Sequence, residues 1–265
     1  MIYWTKNQKK AFQYMIAPCI IVVLLLTWEF LVHIRDIPNW LLPAPSDITV
    51  TLFQDAWMLS GHTWVTFIEV VLGFGVAVVA GVFLASVITL SRSVEQSIYP
   101  IIIASQTIPI IVIAPMLLVW IGYGLTPKII VVALISFFPV TVNMVDGLRA
   151  IDPDMQRVLR TMGANKWQEF IKVRFPTSLP YLFSGLKVAI AVSVIGAVIG
   201  EWVGSKEGLG YLMIRSKPQF QTERVFAAIV ILSFMGVLLF ILIGLLQRLL
   251  TPWHRREVES KKLDD

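Results

Sequence analysis

The sequence predicts an all-α membrane protein of six transmembrane helices, with both termini in the cytoplasm and a polar cytoplasmic elbow between spans four and five. Three observations lead there. Of the 265 residues, 57% are hydrophobic and 15% charged, whereas soluble domains average about 45–50% and about 25%. Several apolar runs exceed the roughly 18 residues that mark a membrane span. The cations are also unevenly placed. On a six-span layout, fifteen of the 22 Lys and Arg fall on one face: three near the N-terminus, Arg92, six around the elbow and five from Arg248 onward. That bias marks the cytoplasmic side. It also explains the net charge of +5 without nucleic acid, for which there is no separate basic domain.

The elements follow in order. A cytoplasmic tail, residues 1–13, precedes a first span from Tyr14 to Val32, too long for a signal-peptide core and closed by Trp28, Phe30 and Trp40 as interfacial aromatics. Leu42-Pro43-Ala44-Pro45 reads as extended. Ser46 or Asp47 then starts a surface helix to about Trp57, with Ile48, Leu52 and Phe53 on one face. The second span covers Trp64 to Leu90. The third, Ile98 to Ile121, holds Pro100, Pro109 and Pro115 around the polar trio Ser105, Gln106 and Thr107. This predicts a broken helix, either bordering a path or merely kinked for packing. The fourth span, Lys128 to Val145, repeats the pattern with Ser136, Pro139, Thr141 and Asn143.

The elbow lies within residues 146–180. Asp152 and Pro153 read as N-cap and first helical residue, and Met155, Val158, Leu159 and Met162 share a face. Gly163 sits where a helix ends with positive φ. Asn165 and Gln168 form a capping-box pattern for a second helix, Lys166 to Val173, with Pro176 and Pro180 as its stops. The fifth span, Tyr181 to Trp202, carries a stripe of small residues at Gly185, Ala189, Ser193, Gly196 or Ala197, and Gly200, suited to close packing or a narrow path. A polar interval, 203–225, leads to the sixth span, Val225 to Leu250, and a charged cytoplasmic tail, 251–265.

The chain has no GxxxxGK[ST] loop, no HExxH pair and no GxSxG elbow, so neither an enzyme, a cofactor nor a metal is expected. Its one cysteine, Cys19, excludes an internal disulfide framework. Glu29, Glu69, Lys187 and Glu201 lie near predicted span ends, with Glu29 and Glu69 read as interfacial. The elbow places Trp167, Phe170 and Phe175 among Arg157, Arg160, Lys166, Lys172 and Arg174. Such a surface fits either the lipid interface or a groove on a cytoplasmic partner.

These residues resemble the permease subunits of bacterial ABC importers, whose loop signature is Glu-Ala-Ala, three residues, Gly, nine residues, Ile-x-Leu-Pro. Gly163 fits the glycine, and Val173, Phe175 and Pro176 fit the end. Arg157, Val158 and Leu159 stand at the Glu-Ala-Ala positions, so the acidic head is absent and Arg157 takes no role from the signature. LPAPSD at 42–47, GEWVGSKEGLGYLM at 200–213 and LTPWH at 250–254 resemble the nitrate, sulfonate and taurine subgroup. Permeases for thiamine-precursor pyrimidines and riboflavin look similar.

The resemblance implies a multi-pass permease of the bacterial cell membrane that passes on a small solute delivered by an extracytoplasmic binding protein. A second permease copy and two ATP-binding subunits would complete it, the latter supplying the ATP hydrolysis. Gly163, Ala164, Trp167, Phe170, Phe175 and Pro176 would couple to the ATPase. Ser105, Gln106, Thr107, Asn143 and Ser193 are the candidate substrate path. A nitrate-, sulfonate- or taurine-type anion is the first expected solute, and a pyrimidine or riboflavin the second. A stand-alone secondary carrier or channel is the alternative class, often marked by an inverted repeat that is not evident here.

Overall fold

The computed structural model describes residues 6–253, with side chains described from Ile16 onward except Leu90. Residues 1–5 of the expected N-terminal tail and 254–265 of the C-terminal tail lie outside the described residues. Among the described residues the regular structure is helical throughout: α1 (Lys6–Ile34), α2 (Pro45–Gln54), α3 (Ala56–Leu90), α4 (Arg92–Ser105), α5 (Ile110–Ile121), α6 (Leu125–Arg149), α7 (Pro153–Thr161), α8 (Lys166–Glu169), a π-helical turn (Phe170–Arg174), α9 (Phe175–Trp202), α10 (Leu209–Ser216), a 3₁₀ turn (Lys217–Gln219) and α11 (Thr222–Leu250). Five stretches are long and apolar enough to cross a membrane: Ile16–Ile34, Ala56–Thr89, Leu125–Arg149, Lys166–Trp202 and Thr222–Leu250. α4 and α5 meet the same test only as a pair bent by 94°. That bend is the broken third helix expected from its prolines.

The chain divides into two compact units. The first draws on Met1–Ser60 and Leu212–Val230. Here Ser46 donates to Glu29 from both its amide (3.0 Å) and its hydroxyl (2.7 Å), tying α2 to α1. Arg224 grips Asp55 through Nε at 2.6 Å, and the Thr222 hydroxyl donates to the Trp40 carbonyl. α2 begins at Pro45, one residue before the expected caps, because proline has no amide to leave unpaired at a first helical position. Its expected single apolar face is split. Ile48 is buried whereas Phe53 is exposed, since five residues at 100° each carry the side chain well around the helix.

The second unit draws on Gly61–Tyr211 and Ile231–Asp265. Its centre is α6 packed along α9. Gly185 lets the helices meet so closely that a Cβ there would lie 2.5 Å from the Pro139 carbonyl oxygen. The small-residue stripe of the fifth span therefore serves packing. Val132, Val140, Met144 and Val145 from α6 and Ala189 and Ala197 from α9 are fully enclosed. The remaining apolar surface faces outward, for example Val79 and Phe83 on α3 and Phe234 on α11, as helices surrounded by hydrocarbon require.

Two expected boundaries are corrected. α1 begins at Lys6, ahead of Tyr14, and runs through Pro18. Pro176 and Pro180 do not stop the helix that starts at Lys166. In the π-helical turn the Phe175 amide donates to Phe170, five residues back. This wider turn delivers Pro176 into the opening turn of α9, where its missing N–H is least costly.

Candidate functional site: a coupling elbow and a sealed polar end

The elbow is built from local signals. The Asp152 carboxylate accepts from the Asp154 amide at 2.8 Å and opens α7. Gly163 closes it at φ +81°, while the Ala164 amide donates to Leu159 and the Gly163 amide to Arg160. This is the αL closure that favours glycine. Asn165 and Gln168 then cap each other reciprocally, at 2.8 Å and 3.0 Å. Trp167 stacks on Phe170 at 6.0 Å and Phe170 tilts against Phe175 at 6.3 Å. Trp167 remains 67% exposed and Met162 78% exposed, leaving a firm surface with an apolar outer edge. Ala164 and Pro176 are half-buried within it.

Glu169 was not singled out from the sequence, yet it is the buried centre of the elbow, 4% exposed. Its carboxylate accepts from Arg174 Nε at 3.1 Å and from Arg160 Nε at 3.5 Å. The pair joins the end of α7 to the π-helical turn across Gly163. Farther out, Arg149 pairs with Glu95 and lies over the Tyr99 ring, fastening the end of α6 to α4.

The opposite end of α9 carries a second cluster, also unrecognised in the sequence. Glu69 and Glu201 are sealed inside protein, 0% and 1% exposed, which corrects the interfacial reading of Glu69. Lys128 Nζ donates to Glu69 Oε1 at 2.6 Å and to the Ser205 hydroxyl at 2.7 Å. Three consecutive amides at the entry to α10 are each received by a side chain. Gly208 donates to His62 Nδ1 at 3.0 Å, Leu209 to the Thr66 hydroxyl at 2.9 Å and Gly210 to Glu201 Oε2. Thr66 in turn donates to Glu201 Oε1 at 2.5 Å. These are the orphan N–H groups that every helix start must place. Gly208 is at φ +109°, and a Cβ there would lie 2.2 Å from the Glu201 carboxyl carbon. A cleft of about 380 Å³ opens beside Glu69, Tyr123, Lys128 and Lys206.

The candidate path residues are dispersed. Ser105 ends α4, and Gln106 and Thr107 occupy the exposed bend before α5. Asn143 is half-buried and spends its amide on the Pro139 carbonyl. Ser193 is fully buried and donates to Ile190 one turn back. None of the five borders the cleft beside Glu69.

Residues 77–256 match the family described as binding-protein-dependent transport system inner membrane component. The chain belongs to that family. Its members are transport permease subunits that work with separate ATP-binding and substrate-binding proteins. The chain is similar to the formylaminopyrimidine transport permease protein ThiX of Halalkalibacterium halodurans, 36% identical over 94% of this chain and 100% of that one. It is similar to the riboflavin transport system permease protein RibX of Chloroflexus aurantiacus, 34% identical over 89% of each. It also resembles the taurine transport system permease protein TauC of Escherichia coli, 28% identical over 88% of each. Among solved structures, an inward-facing MetNI methionine ABC transporter aligns with a TM-score of 0.66 at 20% identity, covering 74% of this chain and 97% of that one. That likeness is one of fold. The chain is thus an ABC importer permease of the binding-protein-dependent type, as its loop signature suggested.

Proposed function

We propose that this permease works as one of two identical copies, each seated on an ATP-binding subunit through the 146–180 elbow. In this reading the bent α4–α5 pair counts as one span, giving six. Both termini and the elbow face the cytoplasm, and the entry to α10 faces outward toward the binding protein. The observation that carries the reading is the elbow itself. Two capped helices turn on Gly163 at φ +81° and present Trp167 and Met162 to solvent at the start of a 37-residue helical stretch, Lys166–Trp202. ATP-driven closure of the partner pair would tilt these short helices and switch the spans as rigid bodies.

For the solute, the 36% and 34% identities to formylaminopyrimidine and riboflavin permeases, against 28% to the taurine permease, favour a small nitrogen heterocycle over the anion expected first. The anion remains the second reading, supported by the subgroup strings at 42–47 and 200–213.

The test is uptake into vesicles holding the chain, its ATP-binding subunit and its binding protein. Labelled formylaminopyrimidine, riboflavin and taurine are offered with and without ATP. Accumulation of a heterocycle only with ATP is the expected result. Accumulation without ATP would make the chain a secondary carrier, and ATP-dependent taurine uptake alone would restore the anion.

A further inference from the structure

The elbow holds a cavity of about 190 Å³ bounded by Thr89, Arg160, Lys166, Glu169, Phe170 and Arg174. That volume is several times the roughly 30 Å³ share of one water. Three cations and one carboxylate form its polar wall, and the carboxylate engages the arginines in a particular way. Glu169 takes the Nε–H of Arg160 and of Arg174, so the Nη ends of both guanidinium groups have no partner among the described residues, and neither does Lys166 Nζ. A guanidinium fixed at Nε and open at Nη is a fork aimed at a planar oxyanion. Two such forks beside a lysine leave an excess of positive charge among the residues that line the cavity.

We infer that this cavity is a socket for an aspartate or glutamate side chain of the ATP-binding subunit, with Glu169 as the positioning residue that aims the two arginines. The inference rests on the elbow being the ATPase contact, and it adds the charge and the residue class of the partner. A protein carboxylate suits the surroundings better than a lipid phosphate. The same elbow exposes Trp167, Met155 and Met162, and Arg, Met and Trp are enriched in the cores of protein interfaces.

The test titrates the full chain, in phosphatidylcholine nanodiscs, with its purified ATP-binding subunit at low and physiological salt. The Arg160→Gln/Arg174→Gln variant is expected to bind about tenfold more weakly or worse and to lose most of the salt dependence. Arg160→Lys/Arg174→Lys keeps the charge without the forks and should fall between. Glu169→Gln leaves all three cations in place but unaimed, and should lose affinity while keeping its salt dependence. Melting temperatures in the same discs separate these effects from misfolding. Unchanged affinity in every folded variant overturns the socket and leaves the function standing. A loss that appears only when phosphatidylglycerol is added assigns the cavity to lipid and also overturns it. If the unaltered chain binds no ATP-binding subunit, the functional reading falls and takes the socket with it.

Discussion

Each end of the Lys166–Trp202 helical stretch holds a buried glutamate, and the two are held by opposite means. Glu201 is bound by a backbone amide and a short hydroxyl, Gly210 and Thr66, groups with little freedom to follow it if it moved. Glu169 is bound by two long arginines whose side chains are 62% and 25% exposed. One end is a fitted joint and the other an adjustable one. Rigidity sits where α10 must be anchored, and compliance where a moving partner is expected. Substitutions at the α10 end should therefore register as lost stability, and those at the elbow as lost work.

The sharpest way to break that contrast is Lys128→Met. It strands Glu69 as a buried, unpaired charge, and the expected loss of about 3–5 kcal/mol should show as a collapsed melting temperature in detergent. Adding Glu69→Gln should restore most of it. A double variant as unstable as the single would mean that Lys128 matters through packing and not charge. Glu201→Ala comes next. Thr66 can fall back on the His62 carbonyl, already 3.2 Å away, but the Gly210 amide cannot turn, so about 1–3 kcal/mol is expected. A neutral melting shift would place the anchoring of α10 elsewhere.

At the elbow, Gly163→Val forces a β-branched residue into φ +81° at a cost of about 1–2 kcal/mol. Membrane levels should hold while ATP-driven uptake is lost. Normal uptake would remove Gly163 from the coupling element. The smallest effects belong to the path residues. In a Cys19→Ser background, Ser105→Cys should react with small aqueous thiol reagents and Ser193→Cys should not, with transport little changed by the substitutions themselves. Labelling of Ser193→Cys during turnover would show that the α6–α9 seam opens, a motion the contrast between the two ends does not include.

The elbow was legible in the sequence because its determinants are local. Asp152, Gly163, Asn165 and Gln168 act within four residues of themselves, the range over which spacing rules operate. The polar end was not, since Glu69 meets Lys128 across 59 positions and Thr66 meets Glu201 across 135. A glutamate near a span end looks the same whether it faces water or another helix. Glu169 was hidden for a different reason. Within a run of cations a lone acid reads as one more solvated charge, and only the fold across Gly163 brings Arg160 onto it, while the π-helical turn brings Arg174. The continuation of the helix past Pro176 was missed because proline rules presume α-helical spacing, and the turn before it is wider.

That wider turn has an angular consequence. A π-helical turn is equivalent to one residue inserted into an α-helix, and one residue corresponds to about 100° of rotation. The five residues Phe170–Arg174 therefore set the azimuth at which all of α9 faces its neighbours. Restoring α-helical spacing by deleting one of them would swing Gly185 and Gly196 away from α6 and bring bulkier side chains round in their place. The seam could not then close, although every residue from Phe175 to Trp202 would be unchanged.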